Sequence, residues 1–260
     1  MAKLPPEIAS QVSTTLSVLD RYLGSDLRAI HLYGSAVDGG LKPHSDIDLM
    51  VSVSAPPAEA ARNALMRELL ACSAPPGESK VLRPLEVTIV ALSEVVPWRY
   101  PPRREMQFGE WLRDDIGAGR FESAMADPDL AILMTKLRLH SVPLRGPEAA
   151  ELFEPVPPSD LREAFAATIA QWNVEPDWHG DERNIVLALA RIWFSVSTGS
   201  IASKDAAAAW AAERLPPEHA ALLAGAAESY LGGGEPSLPS GSVAGFIRFC
   251  KTEIERELSR

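Results

Sequence analysis

The stretch Leu27-Arg28-Ala29-Ile30-His31-Leu32-Tyr33-Gly34-Ser35, separated by ten residues from Asp46-Ile47-Asp48-Leu49-Met50-Val51-Ser52-Val53, decides how the chain is read. Residues 28–33 read as a short strand that Gly34-Ser35 ends. Glycine lets the backbone approach a phosphate closely, and serine can donate a hydrogen bond to it. Residues 46–53 alternate, with Ile47, Leu49 and Val51 on one side and Asp46, Asp48 and Met50 on the other. Two carboxylates two apart on a strand share a side, which suits a hard cation such as Mg²⁺ that takes carboxylates and substrate phosphates together. An isolated Asp-x-Asp would equally suit an exposed strand face.

Working outward, residues 85–92 form a second alternating strand, with Glu86 and Thr88 facing away from Leu85, Val87 and Ile89. If the two strands are neighbours, Glu86 brings a third carboxylate to the solvent-facing side of a small sheet. Three such groups repel one another and raise each other's proton affinity unless a cation is present. Ile8, Val12, Leu16, Leu19 and Leu23 share one face of a helix, and residues 58–72 return to helical spacing. Beyond about residue 155 the strands stop. Helices are expected over 161–172, 183–198, 203–214, 218–231 and 243–258, with Gly232-Gly233-Gly234, Pro236 and Pro239 as a flexible connection before the last. Proline pairs at 5–6, 56–57, 75–76, 101–102, 157–158 and 216–217 mark the boundaries. The expected fold is α+β, a mixed sheet flanked by helices over residues 1–155 followed by an all-helical bundle over 156–260.

Composition bounds the function. The chain has 260 residues, 46% of them hydrophobic and 23% charged, enough for real cores and too apolar for a disordered chain. Apolar runs such as 185–190 are too short to cross a bilayer, and residues 1–11 lack the apolar stretch of a secretory leader. Cys72 and Cys250 form no redox or metal motif, so the expectation is a reduced, cytoplasmic protein with no membrane partner. The net charge is −10, and residues 151–260 alone carry 9 basic and 16 acidic side chains. Such a surface disfavours nucleic acid as a partner and would attract a cationic small molecule, although acidity also serves plain solubility.

The Gly-Ser, insertion, Asp-x-Asp pattern resembles the nucleotidyltransferase superfamily of the DNA-polymerase-beta type. Longer strings carry the resemblance further: Leu27 to Ala36, Gly40-Leu41-Lys42-Pro43, Ser45 to Leu49, Val96-Pro97-Trp98, Arg104 to Arg113, Gly180 to Arg183 and Ile201 to Asp205. In order and content they are similar to the aminoglycoside (3'')(9) adenylyltransferases, which inactivate streptomycin and spectinomycin. The resemblance implies a nucleotidyltransferase-type domain and a helical drug- and nucleotide-contacting domain, with Mg-ATP and the drug held between them. It implies Mg²⁺ on Asp46, Asp48 and Glu86, with Glu86 also accepting the proton of the drug hydroxyl as AMP is transferred and pyrophosphate released. A carboxylate is a weak base toward an alcohol, so positioning and metal would supply much of the rate.

The same resemblance assigns ATP contacts to Ser35, Ser45, Asp129, Lys204 and Tyr230. The serines would otherwise be turn or cap hydroxyls, and Asp129 a helix cap after Pro128. Lys204 follows an expected N-cap, Ser203, where a helix dipole disfavours positive charge and a nearby triphosphate would explain it. Drug contacts are implied for Trp111, Trp172, Asp177, Asp181 and Asn184, since carboxylates pair with cationic antibiotics and tryptophan offers a cation–π wall. Tryptophans are otherwise core residues, and the two aspartates a solvated loop. Trp172 and Asp177 match positions of the dual-specificity enzymes, whereas Asn184 stands where the family commonly has histidine and removes any acid–base role there. A monomer is expected. Transfer to another acceptor, such as a protein, or a nucleotide-binding regulator without turnover are the competing expectations.

Overall fold

The computed structural model describes residues 4–43, 45–234 and 238–260. The expectations placed on residues 1–3 and on Pro236 lie outside them. The chain divides into two compact units, Met1–Val156 and Pro157–Arg260.

The first unit runs α1 (Pro6–Leu23), β1 (Leu27–Tyr33), β2 (Ile47–Val53), α2 (Glu59–Leu69), β3 (Leu85–Ala91) and α3 (Leu92–Val95). It continues through β4 (Arg103–Arg104), β5 (Met106–Phe108), α4 (Arg113–Gly117), β6 (Met125–Ala126), α5 (Asp129–Leu139), β7 (Val142–Arg145) and α6 (Ala149–Leu152). The main sheet has the order β5-β3-β2-β1-β7, and β4 and β6 make a separate two-stranded ribbon. Strands β2 and β3 are parallel with α2 as their crossover, and every other pair in the main sheet is antiparallel. The sheet is therefore mixed, as the alternating strands and intervening helix imply.

Both faces of the sheet are covered. Ile47, Leu49, Val51, Val87 and Ile89 pack with Ile8, Val12 and Leu19 of α1 and Leu65, Met66 and Leu69 of α2. On the other face Tyr33, Met50 and Val90 pack with Leu130, Met134 and Leu137 of α5. This corrects the expectation that Asp48 and Glu86 lie on a solvent-facing side. Met50 and Val90 share that side and need burial, which α5 supplies. Only the end of the sheet where β2 and β3 begin carries carboxylates. Strands β5 and β7 escape the sequence pattern because three or four residues are too few to establish an alternation.

The second unit consists of α7 (Pro158–Ile169), α8 (Glu182–Thr198), α9 (Lys204–Ala212), α10 (Pro217–Tyr230) and α11 (Ser240–Leu258). Helix α8 is central, in contact with the other four. It buries Ile185, Val186, Leu189, Ala190 and Trp193. Helices α7 and α10 start at the second proline of a pair, three residues and one residue earlier than expected. Proline at the first helical position has a suitable φ and lacks an amide hydrogen that would be unpaired anyway. Pro5-Pro6 opens α1 the same way.

One buried polar clamp ties helix to sheet in the first unit. Gln11 of α1 donates through Nε2 to the carbonyls of Cys72 and Arg83, each at 2.8 Å, and accepts from the Arg83 amide at 3.0 Å. Leucine at position 11 would leave all three backbone groups without that partner. Gln11→Leu is expected to lower stability by about 3 kcal/mol, read as a shift in the urea midpoint of the first unit's near-ultraviolet signal.

Candidate active site

Strand register assembles the site. Tyr33 of β1 lies opposite Asp48 of β2, and Asp48 lies beside Glu86 of β3. Asp46 directly precedes β2, so the three predicted carboxylates meet at one end of the sheet. Where β1 ends, Gly34 adopts φ +71°, and a Cβ there would fall inside the envelope of Asp48 Oδ2. Glycine is thus required twice over, for backbone angle and for space. Ser35 follows in a single 3₁₀ turn, Gly34–Ala36.

The electrostatics follow from that crowding. Burial, then the charges of Asp48 and Asp46, push the Glu86 carboxyl up to about 8 from an ordinary value near 4.5. The hydrogen bond from Gln107 and the charge of Lys136 pull the other way without reversing it. Burial and the nearby Glu86 and Asp48 likewise hold the Tyr33 phenol well above its usual range, and the Lys136 ammonium lies 5.6 Å from the centre of that ring.

Among the described residues no group of three acidic, histidine or cysteine side chains closes into a ready-made metal cage. The donor set fits a different arrangement. Mg²⁺ is commonly held by one or two carboxylates, with phosphate oxygens and water completing its octahedron. Asp46 and Asp48 supply such a pair beside a glycine turn, in a place with a local excess of negative charge.

The loop before Asp46 is fixed from outside. Ser45 is buried, and its Oγ accepts the Lys42 amide at 2.9 Å, a turn-closing role. Arg83 donates to the carbonyls of Lys42 at 2.8 Å and Ser45 at 3.2 Å. Arg83 is itself gripped through its backbone by Gln11. Asp129 occupies the first turn of α5, about two turns before Lys136. Trp111 is 62% exposed. Its ring covers Gly109, where a Cβ would collide with it. Below it, Arg113 chelates Glu110 at 2.6 and 2.9 Å, and Ser73 donates to the same carboxylate.

In the second unit four predicted residues converge. Asn184 donates to Asp181 Oδ1 at 2.7 Å, and Lys204 Nζ reaches Asn184 Oδ1 at 3.4 Å. The same ammonium lies 5.1 Å from the centre of the Tyr230 ring. Asn184 serves as donor to one charge and acceptor to the other, a task its amide can perform without titrating. Asp177 ends the turn Glu175–Asp177, and Trp172 precedes that turn. The Trp172 carbonyl accepts Lys251 at 2.9 Å. Asp177 Oδ2 accepts the amides of Asn173 and Val174 at 2.7 and 2.9 Å, which holds its carboxyl below the usual range.

Three residues around the carboxylates escape the sequence reading. Gln107 donates to Glu86 at 3.1 Å from β5, Lys136 reaches the site from α5, and Arg83 anchors the loop. Gln107 stands inside the family-like string 104–113, the one signal that could have drawn attention to it. Crowding of like charge costs stability when no cation is bound. Glu86→Gln, which keeps the shape, is expected to raise the melting temperature of the metal-free protein by roughly 3–6 °C while eliminating turnover. Differential scanning calorimetry with chelator checks the first effect. An unchanged or lowered melting temperature would remove the repulsion from the account.

Known proteins extend the same reading. The family model for the aminoglycoside adenylyltransferase C-terminal domain matches residues 151–253, and that for the nucleotidyltransferase domain matches residues 15–111. An aminoglycoside (3'')(9) adenylyltransferase of Escherichia coli is 54% identical over 98% of this chain and 97% of its own length. A spectinomycin 9-adenylyltransferase of Staphylococcus aureus is 38% identical over 97% of each. The crystal structure of spectinomycin adenyltransferase AAD(9) from Enterococcus faecialis with ATP and spectinomycin aligns with a TM-score of 0.89 at 30% identity. That alignment covers 95% of this chain and 98% of the other. With end-to-end similarity of this kind and three carboxylates gathered beside Gly34-Ser35, the chain belongs to the aminoglycoside (3'')(9) adenylyltransferase family and is an ATP-dependent nucleotidyltransferase.

Proposed function

We propose that the protein transfers AMP from Mg-ATP to the 3''-hydroxyl of streptomycin and the 9-hydroxyl of spectinomycin, and so confers resistance to both. The observation that carries this reading is the side-by-side register of Asp48 and Glu86, with Asp46 at the mouth of the same strand. Bound Mg²⁺ would neutralise charge on the triphosphate and on the departing pyrophosphate. Asp46 and Asp48 would hold it, while Gly34 and Ser35 let the backbone approach the phosphates. Glu86 would take the proton of the drug hydroxyl as its oxygen bonds to the α-phosphorus. The bond from that phosphorus to the β-phosphate's bridging oxygen then breaks, and pyrophosphate leaves.

Residues of both units supply the remaining contacts in this reading. Lys204 and Tyr230 would serve the nucleotide, the ammonium neutralising phosphate and the ring flanking it. Asp181 and Asn184 would meet polar and cationic groups of the drug. Trp111 would offer an exposed apolar wall and the half-buried Trp172 another. Ser45 and Asp129 would act on the nucleotide side, Ser45 through the loop it closes. A cytoplasmic monomer acting on small molecules, with no nucleic-acid partner, is consistent with the acidic chain. Among the described residues no helix is long and apolar enough to cross a membrane.

Pyrophosphate release from Mg-ATP by the purified protein, with spectinomycin, streptomycin or no drug, tests the proposal. Release with each drug and none without is the expected result. Release with neither, alongside intact Mg-ATP binding, would overturn it. Asp177 gives a second expectation. Its Oδ2 is committed to two backbone amides, so the residue shapes the turn as well as carrying charge. Asp177→Asn is expected to cut kcat/KM for streptomycin, the more cationic drug, at least about ten-fold more than for spectinomycin. Equal losses on the two drugs would reduce Asp177 to a turn former.

A further inference from the structure

Glu86 has three rotatable side-chain bonds and must present one oxygen to an incoming hydroxyl. Something has to select its rotamer, and the neighbouring strand holds a suitable pair. Gln107 of β5 lies directly opposite Thr88 of β3. Thr88 follows Glu86 by two residues and shares its side of the strand. The Thr88 hydroxyl, fully buried, donates to Gln107 Oε1 at 2.9 Å, and Gln107 Nε2 donates to Glu86 Oε1 at 3.1 Å.

The direction of this relay is set by chemistry. Glu86 has to be ionised to accept the hydroxyl's proton, and in that state it only accepts, so the amide that serves it presents its NH₂, as the bond from Gln107 Nε2 does. The opposite end of the amide then offers an acceptor, which is what a buried hydroxyl needs to place its own hydrogen. Each bond fixes the polarity of the other. A flipped amide would set carbonyl against carboxylate and leave the Thr88 hydrogen facing another donor. The backbone supports the relay on both sides of Gln107. The Glu105 amide bonds to the Ile89 carbonyl at 2.9 Å, and Phe108 is fully buried against the core.

We infer that Gln107, with its amide locked by Thr88, is a positioning residue for the reaction: it holds Oε1 of Glu86 so that Oε2 faces the hydroxyl to be adenylylated. This rests on the reading of Glu86 as the proton acceptor. Neither Gln107 nor Thr88 touches nucleotide or drug in this account, so binding is unaffected and the loss falls on the transfer step. A purely structural cross-link between β3 and β5 would behave differently, lowering stability without separating kcat from KM.

The experiment is steady-state pyrophosphate release with spectinomycin for the unmodified protein, Gln107→Leu, Thr88→Val, Thr88→Ser and the Gln107→Leu/Thr88→Val double variant. Gln107→Leu is expected to lower kcat about 30-fold with both KM values within about two-fold. Thr88→Val, which keeps the shape and removes the hydroxyl, should lower kcat about ten-fold, and Thr88→Ser should restore it to within about two-fold. In the double variant the losses should not multiply, because the two residues act through one relay. A kcat within two-fold of normal for Gln107→Leu, multiplying losses, or changes confined to KM would each overturn the inference. Should Gln107→Leu fail to fold, the Thr88→Val and Thr88→Ser pair decides alone. An unmodified protein silent with both drugs is a distinct result, which overturns the functional reading and this inference with it.

Discussion

Parallel pairing of β2 with β3 sets Asp48 beside Glu86, and the neighbouring parts of the first unit follow from the need to hold two negative charges there. A parallel pair requires a crossover, and α2 provides it while burying the opposite face of the sheet. The apolar residues that share a side with the carboxylates require a second cover, which α5 supplies. At those starts the chain keeps carboxyl groups close enough to raise the proton affinity of Glu86. Such a cluster is costly for the protein alone and useful to one that binds a cation with a triphosphate.

The carboxylates are supported by a shell of neutral and cationic groups that reach them from distant parts of the sequence. Gln107 comes from the edge strand β5, Lys136 from α5 and Arg83 from the loop before β3. Gln11 sits further back still, gripping the backbone of Arg83 from α1. The second unit repeats the logic with opposite sign. There a lysine at a helix start meets the amide oxygen of Asn184 and the face of Tyr230.

What the sequence disclosed was whatever repeats at short range. The alternation at 46–53 placed Asp46 and Asp48 on one side and Ile47, Leu49 and Val51 on the other, and the structure has them so. Glu86 was placed on its strand, but adjacency to Asp48 depended on strand order, which periodicity does not encode. The cover over Met50 and Val90 is illegible for a related reason. The same alternation describes a face open to water and one covered by a helix 80 residues later. Gln107 and Lys136 carried no local signature, being an ordinary amide and an ordinary lysine until the fold brings them to Glu86. In the second unit the family strings contain Asp181 and Lys204, and Asn184 stands out beside them as a departure from the family's usual histidine, while their mutual contacts depend on helix packing.

Arg83 has a consequence for how this loop can vary. Its guanidinium holds the carbonyls of Lys42 and Ser45, so the approach to Asp46 is anchored from the loop before β3 as well as through the chain leading out of Gly34. The segment between Ala36 and Leu41 is thereby relieved of part of the duty to place the carboxylates. The turn at Gly39-Gly40 can lengthen or shorten at small entropic expense while Val37 and Leu41 stay packed on the core and the geometry at Asp46 and Asp48 stays put. The two halves of the signature motif are joined directly, by the pairing of β1 with β2 and by Gly34 against Asp48, and the turn between them is left to tune what approaches the site.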